Sequence, residues 1–318
     1  MNAQCRLVVV VGPTASGKST LAIALAEQLG GEVIACDSTQ VYRYFDIGTG
    51  KVPVAERRGI PHHLIDLAEP DEIFTAGEYR RRALETLEMI RTRRKLPILT
   101  AGTGLYLRAL LEGLADAPTR SEKVRDRLRQ RSARRGPDYL HKILARLDRE
   151  SASRIEPADT QKVVRAIEIR LLSGEPASAL HRRGRAALEG YRVIKIGLMP
   201  PRAALYERIE HRVIVMLESG WLEEVKGLLD NGIAPTAKPF EFLGYAQLGD
   251  VLTGKIELAE AVRQIRQTTR RYAKRQITWF RKEQDVLWIE SFGDSSMAQA
   301  EAYRHIAGAA SNIRNRLD

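Results

Sequence analysis

The stretch "RLVVVVGPTASGKST", Arg6–Thr20, decides how the rest of the chain is read. A run of β-branched residues predicts a buried strand, and Leu21, Ile23, Leu25 and Leu29 open a helical pattern. The turn between them fits G-x-x-x-x-G-K-[ST] through Gly12, Gly17, Lys18 and Ser19. Strand, glycine-rich turn and helix start in that order form a phosphate-binding loop. Its glycines let backbone N–H groups converge on phosphate oxygens, and the new helix points its positive end at them. Lys18 adds a full charge, and the Ser19 hydroxyl suits a magnesium ion. None of this chemistry selects adenine or a third phosphate. The plain alternative, a glycine-rich turn beside a buried strand, is disfavoured by both flanks.

Outward from this loop the chain alternates strands and helices. Strands are expected over Leu7–Val11, Glu32–Ala35 and Leu96–Thr100, with a helix around Glu78–Arg94, which is the pattern of a parallel α/β sheet. After Gly113 the texture changes. Between Arg120 and Arg149 eleven basic residues stand against four acidic ones, on segments of helical spacing with no strand pattern. Residues 116–189 therefore read as a helical, basic insertion in an α/β core made of residues 1–115 and 190–318. "YRVIKIGL" returns the chain to the sheet, helices follow from Ala203 to Asp230 and from Leu258 to Lys282, and "DVLWIE" is a last strand. Ser295–Leu317 reads as an Ala-rich amphipathic helix.

A chain of 318 residues with 44% hydrophobic content can bury a core for one large or two ordinary domains. No apolar run approaches membrane-spanning length, and "LVVVV" is too short for a signal peptide, so no membrane association and a cytoplasmic location are expected. Cys5 and Cys36 offer neither a disulfide framework nor metal spacing, and zinc is not expected. The net charge of +11 points to a polyanionic partner where it is clustered. It is clustered in the insertion and on the late helix, through Arg263, Arg266, Arg270, Arg271, Lys274, Arg275, Arg281 and Lys282. A solvated helix is the alternative, since long cationic side chains also cover apolar surface. Leu258, Val262, Ile265, Thr269, Tyr272 and Trp279 form the face of that helix expected to be core.

Asp37 follows "EVIAC" and so sits at the carboxyl end of the second strand, the side of an open parallel sheet where ligands bind. It can serve as a magnesium-binding carboxylate, as a general base, or as a simple turn cap. Ser38 and Gln40 beside it can donate and accept hydrogen bonds, which suits the edge of a base. "AGTG", Ala101–Gly104, brings Thr103 to the same rim. His62 and His63 are adjacent in a strand and point to opposite faces, so they read as structural. Trp279 and Phe280 suit buried anchors better than stacking platforms.

Eight collinear segments then resemble one family, the tRNA dimethylallyltransferases or bacterial-type tRNA prenyltransferases. They are "GPTASGKST" from Gly12, "DSTQVYRYFDIGTGK" from Asp37, "HHLIDLAEP" from His62 and "AGTGLYLRALLEGL" from Ala101. The others are "DTQKVVRAIEI" from Asp159, "LYERIEHRV" from Leu205, "FLGYAQ" from Phe242 and "TRRYAKRQITWFR" from Thr269. Two small departures, Ala101 where the family usually has Gly and "GTGKV" where it usually has "GTAKP", touch no proposed catalytic side chain.

The resemblance implies a P-loop NTPase-like fold and transfer of a dimethylallyl group from dimethylallyl diphosphate to the exocyclic amine of the adenine on the 3′ side of the anticodon. The opening loop would then hold a prenyl diphosphate through Gly12, Pro13, Thr14, Ala15, Ser16, Gly17, Lys18 and Ser19, with Mg2+ at Ser19. Asp37 would be the base, and Thr103 and Arg212 would contact the leaving group. By the same resemblance Asp37, Ser38, Thr39 and Gln40 face tRNA, as do Arg125 and the run Gln161, Lys162, Val163, Val164 and Arg165. So do Phe242, Leu243, Gly244, Tyr245, Ala246 and Gln247, while Arg270 and Lys274 would meet phosphates. No protein partner is required, and a monomer is expected. The rival readings are an ATP-dependent small-molecule kinase, an adenylate prenyltransferase and a non-catalytic RNA-binding module. The kinase leaves the two basic regions unused, and the module leaves the loop and Asp37 unused.

Overall fold

A computed structural model describes residues 5–311 of the chain. Its described residues divide into two compact units, residues 5–110 with 189–311 and residues 111–188. The first unit is built on a six-stranded sheet in which every pairing is parallel. Its strands are β1 (Cys5–Val11), β2 (Gly31–Cys36), β3 (His62–His63), β4 (Leu96–Ala101), β5 (Tyr191–Leu198) and β6 (Val286–Ile289), in the order β3-β2-β4-β1-β5-β6. Parallel strands need crossovers, and the intervening helices α1 (Lys18–Leu29), α2 (Ala76–Thr92) and α3 (Gly104–Glu112) supply or extend them.

Sheet faces covered by helices require strands that are apolar throughout. Leu7–Val11 and Val33–Cys36 are buried accordingly. On one face Val8, Val10, Ile98, Ile194 and Ile196 pack against Leu21 and Leu25 of α1 and against Ala298, Ala302 and Ile306 of the last helix. On α2, Tyr79, Leu87 and Ile90 are fully buried, and the Tyr79 hydroxyl donates to the Ala35 carbonyl. His63 Nε2 donates to the Glu32 carboxylate and His62 Nδ1 to the Ile60 carbonyl, so both histidines serve the short strand β3.

The second unit is helical: α4 (Glu122–Arg135), α5 (Pro137–Leu147), α6 (Arg149–Arg154), α7 (Thr160–Ser173) and α8 (Ala177–Arg182). Its own core gathers Leu128, Leu140, Leu144, Val163, Val164, Ile167 and Leu180. Buried Asp148 accepts four hydrogen bonds, from N–H and hydroxyl of both Ser151 and Ser178, which fixes the start of α6 to that of α8. This unit begins at Leu111, inside the end of α3, where the composition shift had suggested Asp116.

The rest of the first unit is α9 (Arg202–Glu218), α10 (Trp221–Asp230), α11 (Tyr245–Leu252), α12 (Leu258–Phe280) and α13 (Ser296–Ser311). The helical run expected from Ala203 to Asp230 is broken at Gly220, whose φ of +93° no regular helix accommodates. The expected core face of α12 is corrected. Leu258 is 40% exposed, and the buried positions are Ala261, Ile265, Ala273, Gln276 and Phe280. Of the expected face only Ile265 is fully buried; Ala261, Ala273 and the amide of Gln276 are buried as well, and an apolar count does not register them. The part of the expected tail helix beyond Ser311 lies outside the described residues.

Candidate active site

The strand order brings three turns side by side. Because β4 lies between β1 and β2, the turn after β1 (Gly12–Gly17), Asp37 after β2 and Gly102–Thr103 after β4 all lie on the carboxyl edge of adjacent strands. Gly17 starts α1 with φ +88° and no side-chain cap, so the first-turn N–H groups are left for an anion. A side chain at Gly17 would also strike the backbone of Gly293, whose N–H donates to the Ser16 carbonyl at 2.9 Å. Ala15 takes φ +63°, a conformation that non-glycine residues adopt rarely and often at ligand-holding turns.

Lys18 folds back over this loop, donating to the carbonyls of Gly12 (2.9 Å) and Pro13 (2.8 Å). Burial pulls its pKa down to about 8, against the attraction of Asp37 and with the help of repulsion from Arg212. Arg212, carried by α9, is likewise held below its usual value, first by burial and then by Arg208, while Asp37 works the other way. Its guanidinium presses on Gly50, and it has no hydrogen-bond or ion-pair partner among the described residues. Arg208, one turn earlier, is instead held bidentately by Asp294 at 2.8 and 2.9 Å. Two desolvated cations facing one carboxylate, one of them unpaired, constitute an anion site.

Asp37 divides its two oxygens. Oδ1 accepts from the Thr39 N–H (2.9 Å) and hydroxyl (2.7 Å), and Oδ2 lies against Gly102, where any Cβ would collide with it. The turn cap therefore occupies Oδ1, while Oδ2 makes no hydrogen bond among the described residues. Thr103 accepts from the Ser38 N–H at 2.9 Å and donates to the Ser38 hydroxyl at 3.2 Å. Gln40 donates to the carbonyls of Thr49 and Gly50, both at 3.2 Å. Ser19 is half-buried at the start of α1, and its hydroxyl is without a partner among the described residues.

The residues named for RNA separate by environment. Gln161 and Lys162 are exposed at the start of α7, with Lys162 paired to Asp159 at 2.5 Å. Val163 and Val164 belong to the helical core, so their side chains face inward. Arg125 (14% exposed side chain, 2.9 Å) and Arg165 (2.7 Å) both pair with the fully buried Glu168. Phe242 and Leu243 are half-buried and Ala246 is exposed, whereas Gly244 and Tyr245 are buried. Gln247 accepts from the Gly244 N–H, and the Tyr245 hydroxyl donates to Glu224 at 2.7 Å. Arg270 pairs with Glu210 at 2.7 Å, and Lys274 is exposed.

Two residues that hold this region, Trp221 and Glu224, lie outside every quoted segment, and a third, Lys51, lies inside one without a role assigned to it. Glu224 accepts from the N–H groups of Asp46 (3.1 Å) and Ile47 (2.8 Å), Trp221 lies against Gly48, and buried Lys51 donates to Tyr42, Asp46 and Asp66. Only the Gly48–Lys51 segment hinted at them, and it carries no sign of its distant partners.

Sheet, loop and edge carboxylate together define a P-loop α/β protein with a carboxylate beside its phosphate-binding turn. The chain belongs to the IPP transferase family, whose model matches residues 40–283. It is 51% identical over 301 residues to the tRNA dimethylallyltransferase of Solibacter usitatus, covering 95% of this chain and 98% of that one. To the enzyme of the same name from Koribacter versatilis it is 50% identical over 300 residues, covering 94% and 97%. Among solved structures it resembles the tRNA isopentenylpyrophosphate transferase of Bacillus halodurans, at 37% identity and TM-score 0.71 over 98% of this chain and 99% of that one. It also resembles a eukaryotic dimethylallyltransferase acting on tRNA, at 29% identity and TM-score 0.82 over 98% and 80%. The fold is thus of the P-loop NTPase-like kind, and the family is one of prenyltransferases. No described helix is long and apolar enough to cross a membrane.

Proposed function

We propose that this chain transfers the dimethylallyl group of dimethylallyl diphosphate to the exocyclic amine of the adenine 3′-adjacent to the anticodon of tRNA, giving isopentenyladenosine and diphosphate. The observation that carries this reading is the meeting of Lys18, the unpaired Arg212 and the free oxygen of Asp37 at one sheet edge. The loop N–H groups, Lys18 and Arg212 meet charge that grows on the departing diphosphate, where preorganised donors act most strongly. A bond forms between the amine nitrogen and the prenyl C1 as the C1–O bond to diphosphate breaks, and the amine proton passes to Asp37 Oδ2. The adenine lone pair is delocalised into its ring, so removing that proton as bonding develops is what makes the nitrogen competent. Gln40, Ser38 and Thr39 line the rim on which the base would lie.

The free Ser19 hydroxyl would be this chain's group for a magnesium ion, which would supply positive charge to the leaving diphosphate. The exposed basic side chains of α4, such as Lys123, Arg127 and Arg131, and Lys274 of α12 are suited to RNA phosphates.

Incubation with labelled dimethylallyl diphosphate and either tRNA or AMP tests the reading. Label is expected in tRNA, at an adenine next to the anticodon, with diphosphate released. Label in AMP alone, or phosphate transfer from ATP to a small acceptor, would overturn it. The chain is expected to act in the cytoplasm as a monomer.

A further inference from the structure

Gln276 stands on the buried face of α12, 6% exposed, in a helix whose outer sides carry Arg271, Lys274 and Arg275. Its amide is used at both ends. Oε1 accepts from the Thr14 N–H of the phosphate loop at 2.7 Å, and Nε2 donates to the Gly102 carbonyl at 2.8 Å. Thr14 N–H can only donate and the Gly102 carbonyl can only accept, so one orientation of the amide satisfies both and its flip satisfies neither. Tyr272, one turn earlier on α12, reaches the same carbonyl with its hydroxyl at 3.4 Å.

What lies at each end gives the bridge its meaning. Thr14 belongs to the turn that would hold the donor. Gly102 is the residue on which Asp37 Oδ2 rests, and its neighbour Thr103 holds Ser38. A single side chain thus spans from the donor loop to the floor beneath the carboxylate. We propose that Gln276 is a positioning residue that sets the spacing between the phosphate loop and Asp37, and hence between the electrophilic carbon and the base. This rests on the prenyl-transfer reading above. It concerns geometry alone, because Gln276 itself touches neither the donor phosphates nor the accepted proton.

Substitution by leucine keeps most of the volume and removes both hydrogen bonds. In Gln276→Leu kcat should fall by about 10²-fold, as expected for a reacting pair misplaced by an ångström. The KM for the donor should change little, because Lys18, Arg212 and the α1 N-terminus remain. Gln276→Glu separates positioning from packing. Its carboxyl, buried beside Asp37, can act as the amide does only while protonated, accepting from Thr14 and donating to Gly102. Its kcat relative to the wild type should therefore be highest at low pH and decline as the carboxyl ionises.

Amide hydrogen exchange provides a readout free of the reaction. In Gln276→Leu the segments 12–17 and 101–104 should lose protection together while the rest of the sheet keeps it. Unchanged kcat in Gln276→Leu, or a relative kcat of Gln276→Glu that is flat with pH, would overturn the proposal. So would unchanged exchange at both segments. Should Gln276→Leu fail to fold, the pH profile of Gln276→Glu decides. If the wild type transfers no prenyl group, the functional reading falls by that result alone, and exchange still reports whether Gln276 couples loop and rim.

Discussion

The phosphate loop and the segment Asp37–Lys51 flank the same site but differ in where their shape comes from. The loop takes its shape from within, where Lys18 bonds carbonyls five and six residues away and Gly17 opens the helix that supplies its N–H groups. Two distant bonds, from Thr14 N–H to Gln276 and from Gly293 N–H to the Ser16 carbonyl, tie it to the rest of the unit. Asp37–Lys51 has almost no regular structure and is braced from afar. Glu224 caps Asp46 and Ile47 across 178 and 177 residues of chain and Trp221 packs on Gly48, while Lys51 adds nearer ties to Asp46 and Asp66, 5 and 15 residues away. A phosphate binder can be made from one local turn, because phosphate asks only for N–H groups and charge. A surface that must receive a base needs shape, and shape over fifteen residues without helix or strand has to come from tertiary contacts.

The largest effect should come from the carboxylate at the start of the second segment. Asp37→Ala should lower kcat by roughly 10² to 10⁴, the usual contribution of a general base, while binding of dimethylallyl diphosphate persists. Single-turnover transfer and equilibrium donor binding separate the two. Collapse of donor binding with kcat would shift Asp37 to a metal-holding role.

Within the loop, Lys18→Ala should damage donor affinity and turnover together by about 10²- to 10³-fold, as for other preorganised donors of charge. Its pKa near 8 adds a pH signature. Below that value Lys18 carries its charge and binds the anion. Above it the charge is lost and donor affinity should decline. Bound diphosphate favours the charged form, so binding above pH 8 should take up a proton, which calorimetry in buffers of different ionisation enthalpy would show. Lys18→Met should abolish the uptake.

In the remotely braced segment, Glu224→Ala leaves two backbone N–H groups and the Tyr245 hydroxyl without their acceptor. About 1–3 kcal/mol of stability should be lost, read as a lower denaturant midpoint, with exchange quickening over residues 45–51 and donor affinity kept. Equal loosening of the phosphate loop would erase the distinction between the two regions.

The smallest effects concern cations that look alike in sequence. Lys274→Gln should flatten the dependence of log tRNA affinity on log salt by about 0.7 to 0.9, the signature of one lost phosphate contact. Arg125→Gln should act mainly on stability, because its partner Glu168 is buried and keeps only Arg165 and the Ser121 N–H. A change of slope in Arg125→Gln at unchanged stability would return it to the RNA surface.

The sequence by itself determined the strand-loop-helix start, the parallel α/β alternation, the helical nature of the insertion and the family. Each of these is written in local periodicity or in spacings of a few residues, where backbone geometry leaves little choice. It could not show that Arg125 and Arg270 are paired with carboxylates while Lys274 is open, because charge type is local and pairing is not. Nor could it show that the core face of α12 runs through Ala273 and Gln276, since packing distance selects small or hydrogen-bonded groups there over apolar ones. Only the tertiary structure decided these points. The sheet order placed β4 between β1 and β2, so Gly102 lies under Asp37 and within reach of an amide 174 residues further along the chain. Such a contact depends on strand neighbours, and strand neighbours are set by how the whole core packs.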